Sequence, residues 1–460
     1  MIPEKFLSRM KALLPAEEYA AFCRALTEAP VRGLRLNPRK ATKETLLPLL
    51  PFEAPPVPFL TDCFFAPADT TVGGLPAHHA GMFYMQDPSA GCVSEALSLR
   101  GGERVLDLCA APGGKSIGVA GRLTAGGVLL SNEIDLGRCR VLQGNLERMG
   151  FPNTVVTHLF PAALADFYGA VFDLVLCDAP CSGEGMLRKY PQAGAEWKEE
   201  NINLCRKRQR EILSAAARLV APGGHLLYST CTFSPEENEE TVDDFLTAHP
   251  DFSLRPVPEK IRTATGNGLV FPGAKHPEGL PLCRRFYPHL AAGEGQFLAL
   301  LARDPDETAK SLPKKDSYRA PGGREAALLE DFLSDALTKM PEGRRIFYRD
   351  KFYLAPDFPL PPDGLVTAGV CVGELQKGRI LPHHQFFSAF GRLFRRQLPL
   401  TGDDPRLCAF LCGEEIEISP PPQGNGPMVV LLCGAPLGGG RAAGNRLKNA
   451  YPKGLRLRQS

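Results

Sequence analysis

The sequence lacks the features of several classes of protein. Its 14 cysteines include no Cys-x-x-Cys pair and no cysteine–histidine pairing at zinc spacing, so no structural zinc site or other metal centre is predicted. No apolar run reaches membrane-spanning length, and the first ten residues mix charged and apolar side chains, unlike a signal peptide. Scattered free cysteines in a chain of 460 residues indicate a reducing cytoplasm rather than a secreted disulfide framework.

The chain also has little net charge and lacks the common nucleotide-binding loops. Its formal net charge is +2, so any basic surface must come from local clustering. The glycine-rich stretch near residue 112 is neither Gly-x-Gly-x-x-Gly nor a P-loop, which argues against a dinucleotide-dependent dehydrogenase or an NTPase. No internal repeat is apparent. A chain of this length is expected to form two or three domains.

Hydrophobic periodicity changes along the chain and predicts its domains. Residues 4–14 and 16–28 have the spacing of short amphipathic helices. Beyond about residue 103 strands and helices alternate, which is typical of a parallel sheet. Strands are predicted at 104–108, 127–132, 154–158, 171–177, 224–229, 296–302, 345–354 and 366–373. The predicted division is a small α+β domain at 1–85, an α/β domain at 86–303, a polar linker at 304–324 and one or two small mixed domains at 325–460.

Two cysteines each follow a predicted buried strand. Cys181 lies in Asp178-Ala-Pro-Cys-Ser-Gly-Glu-Gly, and Cys231 lies in Tyr228-Ser-Thr-Cys-Thr. The carboxyl ends of strands in an open α/β sheet are where ligands bind, so we expect both thiols at one active face. A thiolate is a natural nucleophile for an electron-poor ring such as a pyrimidine. The spacing leaves open which cysteine attacks. The Pro180–Cys181 dipeptide resembles the nucleophile of DNA cytosine-C5 enzymes.

A glycine-rich loop follows the first strand of the α/β domain. The strand Arg104–Cys109 leads into Ala-Ala-Pro-Gly-Gly-Lys115, where two glycines allow the backbone close to a ligand. Glu133 ends the next strand, about twenty residues on, where a carboxylate can accept both hydroxyls of a ribose. Loop and carboxylate together are the layout of S-adenosylmethionine enzymes. The alternative interpretation is an ordinary glycine-rich turn with a surface glutamate.

Three motifs in this order resemble the Nop/Sun family of RNA 5-methylcytosine methyltransferases: Asp107–Lys115, Asp178–Gly183 and Ser229–Thr232. The lead-in His78–Ser89 resembles that of the family. The segment Gly444–Leu455 resembles the C-terminal extension of its small-subunit rRNA methyltransferase F branch. The likeness covers nearly the whole chain. It implies a doubly wound, Rossmann-like S-adenosylmethionine methyltransferase sheet with a small α+β N-terminal domain and C-terminal mixed α/β, PUA-like RNA-binding domains.

The resemblance also implies roles for individual residues. It makes Cys231 the nucleophile, Cys181 the residue that assists product release, and Asp178 a neighbour of both the methyl group and the target base. Lys115 is expected close to the reacting atoms. The family usually has Asp or Asn facing the adenine at the end of the third strand, where this chain has His158; that side chain or a backbone amide could replace the contact. The implied cofactor contacts are Cys109, Ala110, Ala111, Pro112, Gly113, Gly114, Lys115, Glu133 and Asp178.

The resemblance implies an enzyme that methylates cytosine C5 in 16S ribosomal RNA of the small subunit. A transfer RNA methyltransferase and a non-catalytic RNA-binding assembly factor are the alternatives. We expect a cytoplasmic monomer with no membrane partner and no metal. Basic clusters predict an RNA surface. They are Arg206–Arg210, Arg392–Arg396 and the tail Arg441–Arg458, which has six basic and no acidic residues, together with Arg32, Arg35 and Lys40.

Overall fold

The computed structural model describes residues 2–124, 126–305, 312, 316 and 318–458. Much of the predicted linker at 304–324 therefore lies outside the described residues. The described chain forms four β-sheets with helices packed around them. No helix in these ranges is long and apolar enough to cross a membrane.

The N-terminal region pairs two amphipathic helices with a small antiparallel sheet. The helices bury Phe6, Met10 and Phe22 against loops of the central region, as the apolar spacing predicts. Its elements are α1 (Glu4–Leu13), α2 (Ala16–Thr27), β1 (Arg32–Leu36), α3 (Lys43–Leu46), β2 (Cys63–Ala66), α4 (Pro76–His79) and β3 (Phe83–Met85). The sheet order is β2-β1-β3.

The central region alternates strands and helices, as predicted. Asp135 caps its longest early helix by accepting from the Arg138 amide, and Gly150 ends that helix in the left-handed conformation. Its elements are α5 (Pro88–Glu95), β4 (Arg104–Asp107), α6 (Gly114–Ala120), β5 (Val128–Asn132), α7 (Leu136–Met149), β6 (Thr154–Thr157), α8 (Pro161–Tyr168), β7 (Phe172–Asp178), α9 (Pro191–Glu196), α10 (Glu200–Leu219), β8 (Val220–Thr230), α11 (Glu239–Ala248), β9 (Phe252–Arg255), α12 (Glu259–Arg262), β10 (Gly266–Asn267), β11 (Arg284–Phe286) and β12 (Gln296–Arg303).

The central sheet is doubly wound, which confirms the predicted fold class. Strands β4 to β8 run parallel in the order β8-β7-β4-β5-β6, and β12 lies antiparallel beside β8. Successive side chains of each strand enter different cores: Leu106 belongs to one and Val105 to the other. The chain reverses direction across the sheet between β4 and β7. A crevice for a ligand opens at the carboxyl ends of the strands at such a reversal.

The C-terminal region contains one four-stranded and one five-stranded sheet. Its elements are α13 (Gly323–Ala336), β13 (Arg344–Tyr348), β14 (Lys351–Ala355), β15 (Leu365–Ala368), β16 (Val370–Gln376), β17 (Arg379–Pro382), α14 (His384–Phe390), β18 (Gln397–Leu400), α15 (Arg406–Cys412), β19 (Ile416–Glu417), β20 (Gly426–Leu432), β21 (Ala435–Ala443) and β22 (Arg446–Asn449). The sheets are ordered β13-β14-β16-β17 and β18-β20-β21-β22-β19.

Two single strands predicted in this region were wrong. The segment 345–354 is a hairpin, because Arg349 and Asp350 take positive φ angles of 50° and 58° and turn the chain between β13 and β14. The segment 366–373 is divided at Gly369, whose φ is 63°. Its first half, β15, leaves the C-terminal region and pairs antiparallel with β6 at the edge of the central sheet.

The three regions are joined by buried contacts. One apolar core combines Leu34 and Phe83 of the N-terminal region with Leu398 and Phe410 of the C-terminal region. The ammonium of Lys40 donates to the carbonyl oxygens of Ala80, Arg148 and Pro436, at 2.8, 3.2 and 3.1 Å, and to Ser388 Oγ at 2.8 Å. Burial lowers the pKa of Lys40 well below its usual value. The regions are therefore tightly packed.

Candidate active site

The glycine-rich loop joins β4 to α6 at the crevice. Gly113 has a φ of 112°, a conformation that other residues rarely adopt. A side chain at Gly114 would come within 3.2 Å of both Tyr84 and Gln86. Beneath the loop, Ser116 Oγ donates to Asp107 Oδ2 at 2.7 Å. Burial raises the pKa of Asp107 to about 7. The loop thus presents backbone, rather than side chains, to the crevice.

Glu133 lies at the end of β5, beside this loop. It is buried, its Oε1 accepts from the Asp135 amide at 3.0 Å, and its Oε2 is 3.3 Å from the Arg138 guanidinium. Arg138 also donates to the Ala111 carbonyl at 2.8 Å, which fixes carboxylate and loop relative to each other. The carboxylate therefore stands where the sequence predicts a ribose contact.

His158 stands at the end of β6, where the sequence places a candidate adenine contact. The His158 amide donates to the Gly364 carbonyl at 2.7 Å, and its Nδ1 lies 3.1 Å from the Glu133 carbonyl. The backbone amide is therefore already used. Exposed apolar side chains flank the position instead: Ile134, after β5, and Phe160, which is 72% exposed. Sequence reasoning missed both, although each is an apolar residue two positions past a predicted strand.

The two motif cysteines meet at the ends of β7 and β8. Their Sγ atoms lie 3.3 Å apart, and both residues are partly buried. The hydrogen bond with Cys231, followed by burial, raises the pKa of Cys181 well above its usual value. The structure thus brings together the two thiols that the sequence predicts at one face.

An ion pair stands beside the thiols. Lys115 Nζ lies 2.6 Å from Asp178 Oδ2, and Asp178 Oδ1 accepts from Ser229 Oγ at 2.6 Å and from Gln296 Nε2 at 3.3 Å. Burial acts to lower the pKa of Lys115, but Asp178 and, more weakly, Cys231 hold it above its usual value. Lys115 therefore remains a cation next to the thiols.

Two buried carboxylates near the cysteines were not predicted. Glu237 is fully buried and accepts from the Ser182 amide at 3.0 Å and from Gln209 Nε2 at 2.9 Å. Glu184 accepts from Thr232 Oγ1 at 2.8 Å. Burial raises the pKa of both, that of Glu184 to about 7. Glu237 lies in an acidic run, Glu236–Glu240, in which Glu239 is also buried, and nothing in the sequence of that run distinguishes the buried glutamates from the others.

The basic clusters divide into structural and exposed residues. Arg35 and Lys40 are buried and form no RNA surface, whereas Arg392 is exposed, with its guanidinium donating to three backbone carbonyls. Arg206 and Arg210 pair with acidic residues of α11. Among the described residues of these clusters, those that remain exposed without an ion pair are Lys207 and Arg208 on α10, Arg392 and Arg395 after α14, and Arg441, Arg446, Lys448, Lys453 and Arg458 in the tail.

The crevice suits a cofactor with a ribose and a flexible amino-acid part. Asp107 Oδ1 and Gln86 Nε2 are buried next to the glycine-rich loop without a hydrogen-bond partner, so both can still bond a ligand. Gly114 has no side chain in the space between loop and Tyr84. Within the described ranges, no three His, Cys, Asp or Glu side chains are placed to hold a metal ion. The donor set therefore fits S-adenosylmethionine.

Comparison with known families matches three parts of the chain. The family description "16S rRNA methyltransferase RsmB/F" matches residues 94–302. The N-terminal domain of 16S rRNA methyltransferase RsmF matches residues 2–88, and the methyltransferase RsmF PUA domain matches residues 398–457. The ribosomal RNA small subunit methyltransferase F of Klebsiella pneumoniae is 30% identical over 98% of this chain and 96% of its own length.

The chain belongs to the RsmB/F family of 16S rRNA methyltransferases. Two solved structures from Pyrococcus horikoshii share the fold of such proteins. A methyltransferase homolog protein is 27% identical, with a TM-score of 0.56 over 65% of this chain and 95% of its own. The structure of NSun6 with SFG is 22% identical, with a TM-score of 0.57 over 66% of this chain and 99% of its own. The first structure resembles this chain in both sequence and fold, and the second supports the fold alone.

Proposed function

We propose that the protein transfers a methyl group from S-adenosylmethionine to C5 of cytosine in 16S ribosomal RNA. The observation that carries the proposal is the pair of sulfurs 3.3 Å apart beside the Lys115–Asp178 ion pair. This set lies next to the glycine-rich loop and Glu133, at the reversal of the sheet. Membership of the RsmB/F family supports the choice of substrate.

The chemistry requires two separate duties of thiols. Cytosine C5 is a poor nucleophile, and attack of a thiolate at C6 turns C5 into an enamine carbon that accepts a methyl group. Bound S-adenosylmethionine supplies that methyl group. A base must then remove the C5 proton, so that the electrons of the C5–H bond re-form the C5=C6 double bond and the C6–S bond breaks to release the thiolate. Two cysteines in contact are suited to attack and to release.

We assign attack to Cys231 and assistance of release to Cys181. The segment Ser229–Thr232, which resembles the nucleophile motif of the Nop/Sun family, supports this assignment. Lys115 places a positive charge near Cys231. Asp178, held by Lys115 and Ser229, can bond the N3 and N4 edge of the base and make C6 more electrophilic.

The cofactor contacts follow from the same crevice. We propose that the loop Cys109–Lys115 wraps the methionine part and that Glu133 bonds the ribose hydroxyls. Asp178 lies near the methyl group. The exposed side chains of Ile134 and Phe160 supply apolar contacts for the adenine, in place of the polar residue usual at the end of the third strand.

The RNA surface includes the five-stranded sheet of the C-terminal region. Arg441 and Lys448 lie opposite each other on β21 and β22, and Arg446 follows on the same ribbon. These exposed cations suit phosphate contacts, which supply most of the affinity for nucleic acid. Lys207 and Arg208 on α10 lie near the loop of Cys181, because the next residue, Gln209, donates to the Pro180 carbonyl at 3.0 Å. We propose a cytoplasmic monomer that contacts RNA at both places.

Methyl transfer from labelled S-adenosylmethionine tests the proposal. Small ribosomal subunits, free 16S rRNA and transfer RNA are offered to the full chain, and the modified base is mapped. Label at C5 of a cytosine in 16S rRNA is the expected result. Label in transfer RNA alone would show a transfer RNA enzyme. Binding of RNA without any label would favour a non-catalytic assembly factor.

A further inference from the structure

Two buried carboxylates border the cysteine pair, and Arg9 acts on one of them, Glu184, at longer range than an ion pair. Glu184 is 3% exposed and Glu237 is fully buried. Within the part of the chain that the structure describes, neither carboxylate lies within 4.0 Å of a Lys, Arg or His side chain. Burying a carboxylate without a counter-ion is costly unless hydrogen bonds compensate. Both carboxylates therefore depend on hydrogen bonds to compensate for their burial.

Glu237 comes from the loop of Cys231 but bonds the loop of Cys181. It lies six residues after Cys231 and accepts from both the amide and the hydroxyl of Ser182, at 3.0 and 2.5 Å. Gln209 Nε2 joins the same carboxylate, at 2.9 Å, to the Pro180 carbonyl, at 3.0 Å. Both neighbours of Cys181 in the chain are thus held by Glu237, directly or through one amide.

Glu184 shows the reverse arrangement. It lies three residues after Cys181, and its Oε2 accepts from Thr232 Oγ1 at 2.8 Å and from the Phe233 amide at 3.1 Å. The next residue, Gly185, donates its amide to the Cys231 carbonyl at 2.8 Å. The Ser182 and Thr232 hydroxyl oxygens lie 2.8 Å apart, where the two halves meet.

We propose that these crossed carboxylates are positioning residues, Glu237 for Cys181 and Glu184 for Cys231. Each loop supplies the carboxylate that fixes the cysteine of the other, and the two together set the 3.3 Å separation of the sulfurs. The proposal rests on the function given above for the two thiols. It predicts that loss of each carboxylate impairs the step performed by the opposite loop.

Alanine variants separate the two steps. With Glu237→Ala, Cys231 still attacks and the covalent protein–RNA adduct accumulates, because Cys181 is misplaced. With Glu184→Ala, adduct formation itself slows. We expect each affected step to fall by roughly 10- to 100-fold, as a misplacement near 1 Å does. Glutamine at either position keeps an oxygen acceptor and restores most of the rate. The assay is denaturing electrophoresis of the enzyme with RNA and cofactor.

Glu236→Ala is the matched control. Glu236 lies on the same turn but bonds Arg9 of α1 and no residue next to a cysteine. Its variant should follow the wild type in both steps, whatever its melting temperature. An equal loss of both steps in Glu184→Ala and Glu237→Ala, unrelieved by glutamine, would contradict the proposal, as would wild-type behaviour of both.

A second readout needs no RNA. Diamide converts two adjacent thiols to a disulfide and takes up their two protons and two electrons. The wild-type protein should form the Cys181–Cys231 disulfide rapidly, and both alanine variants slowly, as read by mass spectrometry. Unchanged rates in both variants would refute the positioning role of Glu184 and Glu237. If the wild type forms this disulfide but no adduct with any RNA, the proposed function fails and the positioning role stands.

Discussion

Lys115 shows how one residue serves two neighbours. It belongs to the first turn of α6, so the helix that follows the glycine-rich loop carries it to the ends of β7 and β8. Its ammonium holds Asp178 at 2.6 Å and also interacts with Cys231. A residue that bears on the cofactor loop, the base-facing carboxylate and the nucleophile cannot be replaced by another cation of different length without moving one of the three.

Alanine substitution of each cysteine tests which one attacks and which one assists release. Cys231→Ala should abolish turnover and give no covalent adduct, because the nucleophile is lost. Cys181→Ala should form the adduct and trap it, because release is impaired. The measurement is a denaturing gel of protein with RNA and S-adenosylmethionine, with wild type as the turnover control. An adduct with Cys231→Ala and none with Cys181→Ala would reverse the assignment.

Asp107 predicts a dependence of stability on pH. Its pKa in the folded chain is about 7, above the unfolded value of about 3.9, so protonation favours folding. This stabilisation is complete below pH 4 and is lost as the pH rises through 7. Asp107→Asn should remove up to a few kcal/mol of the fall in unfolding free energy between these limits. Urea unfolding of the cofactor-free protein across pH 4–8 measures it; an identical slope in Asp107→Asn would contradict the expectation.

Among helices and strands, the sequence predicts those whose position is controlled by a local hydrophobic pattern. Strands of the parallel sheet are buried on both faces, so their apolar runs gave β4 to β8 within a few residues, and with them the position of both cysteines. The site residues that end those strands follow directly. Glu184 and Glu237 could not be found, since their burial depends on a loop fifty residues away. The strand β15 could not be assigned to β6 either, because edge pairing between distant segments leaves no periodic signal.

Gly369 and Gly378 form a matched pair for testing the close packing at the end of β15. Gly369 ends β15, its amide donates to the Thr154 carbonyl, and a Cβ there would lie 2.1 Å from the Leu354 carbonyl oxygen. Gly378 has a similar positive φ, 76°, with nothing within 4 Å of a Cβ. Gly378→Ala should cost about 1–2 kcal/mol from φ alone. Gly369→Ala should cost clearly more. Chemical denaturation measures the loss of unfolding free energy in both variants. Equal losses would show that β14 shifts to accommodate the added methyl group at no cost.

At the scale of the whole molecule, the RNA surface is best tested by charge rather than by removal. Truncation after residue 323 would remove β15 from the sheet edge and half of the shared N- and C-terminal core, so lost binding would have two causes. Arg441 and Lys448 are exposed on β21 and β22 and leave that core untouched when changed.

Charge reversal at these two positions should weaken RNA binding and flatten its salt dependence. Arg441→Glu with Lys448→Glu removes two phosphate contacts, so the slope of log affinity against log salt should fall by about two. Filter binding from 50 to 300 mM salt measures it. Arg206→Gln, which breaks ion pairs within the protein, is the control. An unchanged slope would exclude this ribbon from the RNA surface.

The shared core also dictates the order in which the protein can be completed during synthesis. Leu34 and Phe83 are synthesised about three hundred residues before Leu398 and Phe410, which cover them. The apolar surface of the N-terminal region is therefore enclosed only after the C-terminal region has been made. A nascent chain released before the C-terminal region is made therefore lacks that region and also leaves the apolar residues of its N-terminal region exposed to solvent.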